Sequence, residues 1–93
     1  PFKVQIIPKL ENEEKKEMAG KLYTKLNEIG IGAILDDREG LTIGAKIKDC
    51  KVLGTPYMVV LGDKTEGDNV ELENVKTGEK ETLSIEELIN KMK

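Results

Sequence analysis

Apolar and polar positions alternate along the first two thirds of the chain with a period that switches between that of a strand and that of a helix. The pattern predicts the order β-α-β-α-β, over residues 2–7, 12–29, 31–35, 43–53 and 57–61. Pro8 ends the first strand, and Asn12 is placed to cap the first helix, which Gly30 ends. The last of these strands is apolar throughout, as expected for a strand covered on both faces.

The remaining third of the chain predicts a β-hairpin and a helix. In residues 70–75, Val70, Leu72 and Asn74 alternate with Glu71, Glu73 and Val75, which predicts an edge-like strand. Residues 76–79 form a turn before a return strand at 80–83. Ser84 and Glu87 have the spacing of a capping box, so a final amphipathic helix begins there.

Together these elements predict one domain, residues 1–93, of the three-layer α/β class. Its five-stranded mixed sheet has a parallel β-α-β-α-β core with right-handed crossovers and an antiparallel β-β extension, and three helices cover it. Functional residues of such sheets lie at the carboxyl ends of the parallel strands, which here are residues 8–9, 36–38 and 62–64.

Composition excludes several kinds of chemistry. The 93 residues include no histidine and a single cysteine, Cys50, so histidine-based triads, intrachain disulfides and cysteine zinc sites are excluded. No apolar window approaches the roughly 18 residues of a membrane span, and no leader precedes the first strand, so we expect a cytoplasmic protein with no membrane partner. The formal charge of −3 means that any nucleic-acid contact comes from a local basic patch.

Two clusters could carry chemistry. Asp36 and Asp37 end a strand and could bind Mg²⁺, but adjacent strand residues face opposite sides, so an ion pair with Arg38 or a turn cap is the simpler interpretation. A phospho-acceptor site would add Asp63 and Lys80, as in a flavodoxin-like or receiver-like domain. Cys50 fits a buried core thiol better than a reactive one.

Basic residues form the other cluster. We expect the side chains of Lys46, Lys48, Lys51, Lys64 and Arg38 to converge at one end of the sheet. Two interpretations stay open at this point: a solvated charged face, or a patch that binds the phosphates and bases of a nucleic acid.

Several blocks of sequence resemble the C-terminal anticodon-binding domain of the class II aminoacyl-tRNA synthetases for proline, threonine, histidine and glycine. The blocks are Leu35-Asp36-Asp37-Arg38, Gly44-Ala45-Lys46-Ile47, Gly54-Thr55-Pro56-Tyr57 and Leu61-Gly62-Asp63-Lys64. The resemblance covers essentially the whole chain. With Thr77-Gly78-Glu79-Lys80-Glu81, it is strongest to the prolyl enzymes, and the threonyl enzymes are next.

The resemblance implies a five-stranded mixed sheet with three helices and a non-catalytic domain that binds the tRNA anticodon stem-loop. It implies that the chain is the C-terminal fragment of a longer synthetase, a homodimer whose ATP and Mg²⁺ sites belong to a separate catalytic domain. No cofactor is expected in this domain. A synthetase-like accessory module for protein interaction is the alternative.

Carried over onto this chain, the resemblance implies six tRNA-binding residues: Arg38, Lys46, Lys51, Lys64, Thr65 and Lys80. Two of them depart from the family pattern. Lys51 stands where prolyl enzymes usually have a carboxylate suited to accept from a guanine edge, so Asp49 is the candidate substitute. Thr65 stands where some relatives have an acidic residue, and Glu66 is adjacent.

Overall fold

The computed structural model describes residues 3–36, 40, 42–62, 67 and 69–92. In chain order its elements are β1 (Val4–Pro8), α1 (Glu13–Glu28), β2 (Ala33–Leu35), α2 (Ile43–Leu53), β3 (Tyr57–Leu61), β4 (Asn69–Asn74), β5 (Lys80–Ser84) and α3 (Ile85–Met92). The five strands form one sheet in the order β2-β1-β3-β4-β5. β1 pairs in parallel with β2 and β3, and the other neighbours are antiparallel. This confirms the predicted mixed α/β fold.

The helices begin and end for local reasons that the sequence indicated. The Asn12 side chain accepts a hydrogen bond from the Lys15 backbone N–H at 3.2 Å and so caps α1. In the capping box of α3, the Ser84 N–H donates to Glu87 Oε1 at 3.1 Å, and the Glu87 N–H donates to Ser84 Oγ at 3.2 Å. α3 therefore starts in a fixed orientation and places Leu88 fully inside the core.

The sheet separates two apolar layers. On one face, α1 and α3 pack over a large cluster whose fully buried side chains are Val4, Ile6, Ala19, Leu22, Leu26, Val59, Leu61, Val70 and Leu88. On the other face, α2 packs over a small cluster of Ile7, Cys50 and Met58. β3 is therefore covered on both faces, as its apolar sequence predicted. No helix in the described ranges is long and apolar enough to cross a membrane.

Two predictions about the sheet need correction. β4 is not an edge strand, because β5 pairs along its outer side, and the edges are β5 and the three-residue β2. Glu73 of this strand is buried on the face of the sheet that carries α2, where its carboxylate lies near Lys51. The flavodoxin-like or receiver-like alternative does not fit, because β4 and β5 run antiparallel to their neighbours.

Candidate nucleic-acid interface

Two lysines flank a buried carboxylate on the α2 face of the sheet. Glu73 is only 5% exposed and lies directly opposite Met58 of β3 in the strand register. The Lys51 Nζ atom lies 3.8 Å from Glu73 Oε2, and the Lys80 Nζ atom lies 3.6 Å from Oε1. Both lysine side chains remain open to solvent, with exposed fractions of 54% and 60%. We name this arrangement of Lys51, Glu73 and Lys80 the lysine–carboxylate cluster.

The helix α2 supplies Lys51, and both of its ends are fixed. Thr42 Oγ1 accepts a hydrogen bond from the Ala45 N–H at 3.1 Å at the start of the helix. Gly54 ends the helix with a φ of 77°, in the left-handed region where glycine is favoured, and its N–H donates to the Cys50 carbonyl. Lys51 lies in the last turn of α2, and its contact with Glu73 places it on the side of the helix that faces β4.

The β4–β5 hairpin supplies Lys80, and a side-chain turn fixes its register. Asn74 Oδ1 accepts hydrogen bonds from the N–H groups of Lys76 and Thr77 at 3.0 and 3.2 Å. The Gly78 N–H then donates to the Asn74 carbonyl at 2.8 Å. This turn pairs Lys80 directly with Glu73 across the two strands, so both side chains project from the same face.

Lys46 occupies a different position from the other lysines of its helix. Its side chain is 1% exposed, and its Nζ donates to the Asp36 carbonyl oxygen at 3.3 Å. It therefore holds the end of β2 from inside the protein, about one and a half helical turns from Lys51. The expected convergence of Lys46 and Lys51 at one end of the sheet is wrong: Lys46 faces the carboxyl end of β2, and Lys51 faces Glu73, near the start of β3.

Asp36 has structural partners in the core. Its Oδ2 accepts a hydrogen bond at 3.0 Å from Nε2 of Gln5, and both residues are buried. Within the described ranges, no group of three or more acidic, cysteine or histidine side chains is placed to hold a metal ion. The predicted residues Asp37, Arg38, Asp63, Lys64 and Thr65 lie outside the described residues.

Cys50 belongs to α2 and is fully buried where this helix packs on Ile7 and Met58 of the sheet. Desolvation raises the pKa of its thiol above the ordinary value of 9.0, and the hydrogen bond with Thr55 offsets this only in part. The neutral thiol is therefore the form that the fold favours, which agrees with the predicted core role.

Glu73 is the candidate functional residue that sequence reasoning missed. The sequence analysis used Glu73 only as part of the alternation that predicts an edge-like strand; in the structure β4 is paired on both sides, and Lys51 of α2 lies against Glu73. The hairpin register held the signal: a turn over residues 75–78 places Lys80 opposite Glu73, and an acid opposite a lysine is a favourable cross-strand pair. The predicted turn at 76–79 is shifted by one residue, so it did not give this pairing.

The fold is a mixed five-stranded sheet with α1 and α3 on one face and α2 on the other, and the exposed lysines Lys51 and Lys80 lie on the α2 face. Residues 3–93 match the family described as "Anticodon binding domain", and the chain belongs to this family.

Within that family the similarity is to the prolyl enzymes, as the sequence blocks predicted. The chain is 42% identical over 93 residues to the proline–tRNA ligase of Aliarcobacter butzleri and 40% identical over 94 residues to that of Aquifex aeolicus. These alignments cover 99% and 100% of this chain but 16% of each relative. The chain thus spans about one sixth of the length of these curated relatives.

Solved structures agree with this assignment. Prolyl-tRNA synthetase from Cryptosporidium parvum superposes with a TM-score of 0.88 at 28% identity, over 99% of this chain and 20% of that one. Histidyl-tRNA synthetase from S. aureus superposes with a TM-score of 0.81 at 27% identity, over 99% of this chain and 26% of that one. The predicted fold of a class II synthetase anticodon-binding domain is confirmed.

Proposed function

We propose that this chain is the anticodon-recognition domain of a proline–tRNA ligase and does not itself catalyse the ligation. The observation that carries the proposal is the 42% identity to a proline–tRNA ligase over essentially the whole chain. The domain holds the anticodon stem-loop, while a separate catalytic domain of a longer, cytoplasmic and homodimeric polypeptide joins proline to the tRNA.

The lysine–carboxylate cluster is the part of the described surface that suits this role. Lys51 and Lys80 are exposed cations on one face, so they can neutralise RNA phosphates or donate to base edges. Arg38, Lys64 and Thr65 stay predictions as tRNA-binding residues, with no position assigned to them relative to this cluster. Lys46 is left out of it, because its ammonium group is buried against the Asp36 carbonyl.

We assign the ATP and Mg²⁺ of the parent reaction to the catalytic domain. Binding Mg²⁺ takes carboxylates that converge on one point. The described acidic side chains do not converge in this way: Asp36 is hydrogen-bonded to Gln5, and Glu73 lies between two ammonium groups.

Binding to short RNA hairpins tests the proposal. The full chain is titrated with the anticodon stem-loop of a proline tRNA, with the same hairpin carrying a substituted anticodon, and with the threonine counterpart. We expect clear preference for the proline hairpin. Equal affinity for all three hairpins would contradict anticodon recognition, and preference for the threonine hairpin would reassign the amino acid.

Matched lysine variants locate the surface. Lys51→Met and Lys80→Met should each weaken binding and reduce the slope of log affinity against log salt concentration by about 0.7 for each phosphate that is no longer neutralised. Lys21→Met is the control, because Lys21 is an exposed cation on α1, on the opposite face of the sheet. If all three variants behave alike, the RNA does not bind at the lysine–carboxylate cluster.

A further inference from the structure

We propose that Glu73 is a specificity-determining residue that accepts hydrogen bonds from the Watson–Crick edge of a guanine in the bound RNA. The inference rests on the proposed function and names the side chain that selects a base.

The Glu73 carboxylate is enclosed by protein but keeps its hydrogen-bonding capacity. Its two charged partners, Lys51 and Lys80, lie 3.8 and 3.6 Å away, which is beyond hydrogen-bond length. In the described part of the chain, every fully buried polar side-chain atom has a hydrogen-bond partner. Because no hydrogen bond to the Glu73 carboxylate is formed there, its oxygens are not completely buried, and their capacity to accept hydrogen bonds is unused within the described chain.

The pattern of acceptors and donors matches guanine better than the other bases. A carboxylate offers two acceptor oxygens side by side. Along its Watson–Crick edge, guanine has the O6 acceptor followed by two adjacent donor groups, N1–H and the N2 amine. Adenine, cytosine and uracil each have one donor group there. Lys51 or Lys80 can donate to O6 while Glu73 accepts from N1 and N2, and bases in RNA loops are open to such contacts.

Position 49 offers a second carboxylate, but on the other side of α2. Asp49 lines a groove together with Gln5, Ile34 and Asp36, near the β2 edge of the sheet. Lys51 points instead toward β4 and contacts Glu73. Of the two carboxylates, Glu73 is therefore the one that lies between Lys51 and Lys80.

The experiment compares hairpins that differ in one exocyclic amine. The full chain is titrated with the proline anticodon stem-loop and with versions in which each anticodon guanine is replaced in turn by inosine, which lacks the N2 amine. For one of these positions, we expect the native chain to bind the inosine hairpin roughly tenfold more weakly, because half of a bidentate hydrogen-bonded pair is then absent. Glu73→Gln should bind both hairpins with nearly equal affinity, and Asp49→Asn should keep the native preference.

The outcomes separate the inference from the proposed function. If the native chain binds no hairpin, the proposed function fails. If it binds but Glu73→Gln keeps the native preference for guanine, or the native chain does not distinguish guanine from inosine, only the role of Glu73 is overturned. Circular dichroism reports whether Glu73→Gln folds. If it does not fold, Asp49→Asn decides: retained preference supports Glu73, and lost preference overturns it.

Discussion

The buried position of Lys46 gives a prediction that separates a structural lysine from one that binds RNA. We compare Lys46→Met, which keeps the length and volume of the side chain, with Lys46→Ala, which removes the buried stem. The native side chain is 1% exposed and its Nζ donates to the Asp36 carbonyl at 3.3 Å.

The expected magnitudes follow from the two parts of the side chain. Alanine lacks three methylenes that lysine buries, each contributing about 0.8 kcal/mol, so Lys46→Ala should be less stable than Lys46→Met by about 2 kcal/mol. That is a difference of roughly 10 °C in Tm for a domain of this size. Losing the hydrogen bond of the ammonium costs about 1.5–3 kcal/mol, but removing a buried charge offsets it, so Lys46→Met should stay near native stability.

Urea unfolding followed by far-UV circular dichroism measures these differences, and fluorescence anisotropy measures RNA affinity. Lys46→Met should bind the proline hairpin as the native chain does, whereas Lys51→Met should bind it more weakly. Equal unfolding midpoints for Lys46→Ala and Lys46→Met would show that the stem is not packed. A folded Lys46→Met that binds RNA as poorly as Lys51→Met would show that Lys46 leaves the core to contact RNA.

Three further predictions concern the framework of the domain. Ser84→Ala removes the α3 cap and should cost about 1 kcal/mol, measured as a Tm lower by roughly 4–8 °C; an unchanged Tm would contradict the capping box. Gly54→Ala should cost roughly 1–2 kcal/mol in urea unfolding, from the left-handed backbone alone, since no atom lies within 4 Å of the added Cβ. The buried Cys50 thiol, whose pKa is raised, should react with a thiol reagent at pH 8 only as the protein unfolds. Fast labelling of the native protein at pH 8 would contradict the burial of the thiol. The stability that comes from burying the neutral thiol should be intact below pH 9.0 and lost as pH rises through the folded pKa.

Local signals predicted the elements well where the chain encodes them in neighbouring residues. The bounds of α2 and β3 match the predicted 43–53 and 57–61, because Gly54 marks the end of the helix and the strand is continuously apolar. β2 begins at Ala33, two residues later than predicted, because only three of its residues pair with β1, starting with Ala33 opposite Val4.

Burial of charged side chains could not be predicted in the same way. Lys46 and Glu73 have ordinary surface patterns in sequence, and both are buried by contacts with residues far along the chain. Their positions depend on how α2 lies across the sheet and on the register of β4, which neither periodicity nor composition contains. Lys80 was predicted as a basic position through the resemblance, but its carboxylate partner emerged only with the hairpin register.

The two edge strands of the sheet bear on whether this chain pairs with other molecules through its backbone. An unprotected border strand invites pairing with another molecule. Here one border, β2, is three residues long, and the other carries charges, with Glu81 of β5 held by Lys91 of α3 at 2.6 Å. Neither edge strand is therefore suited to form strand pairs with a second copy of the chain or with an extended peptide.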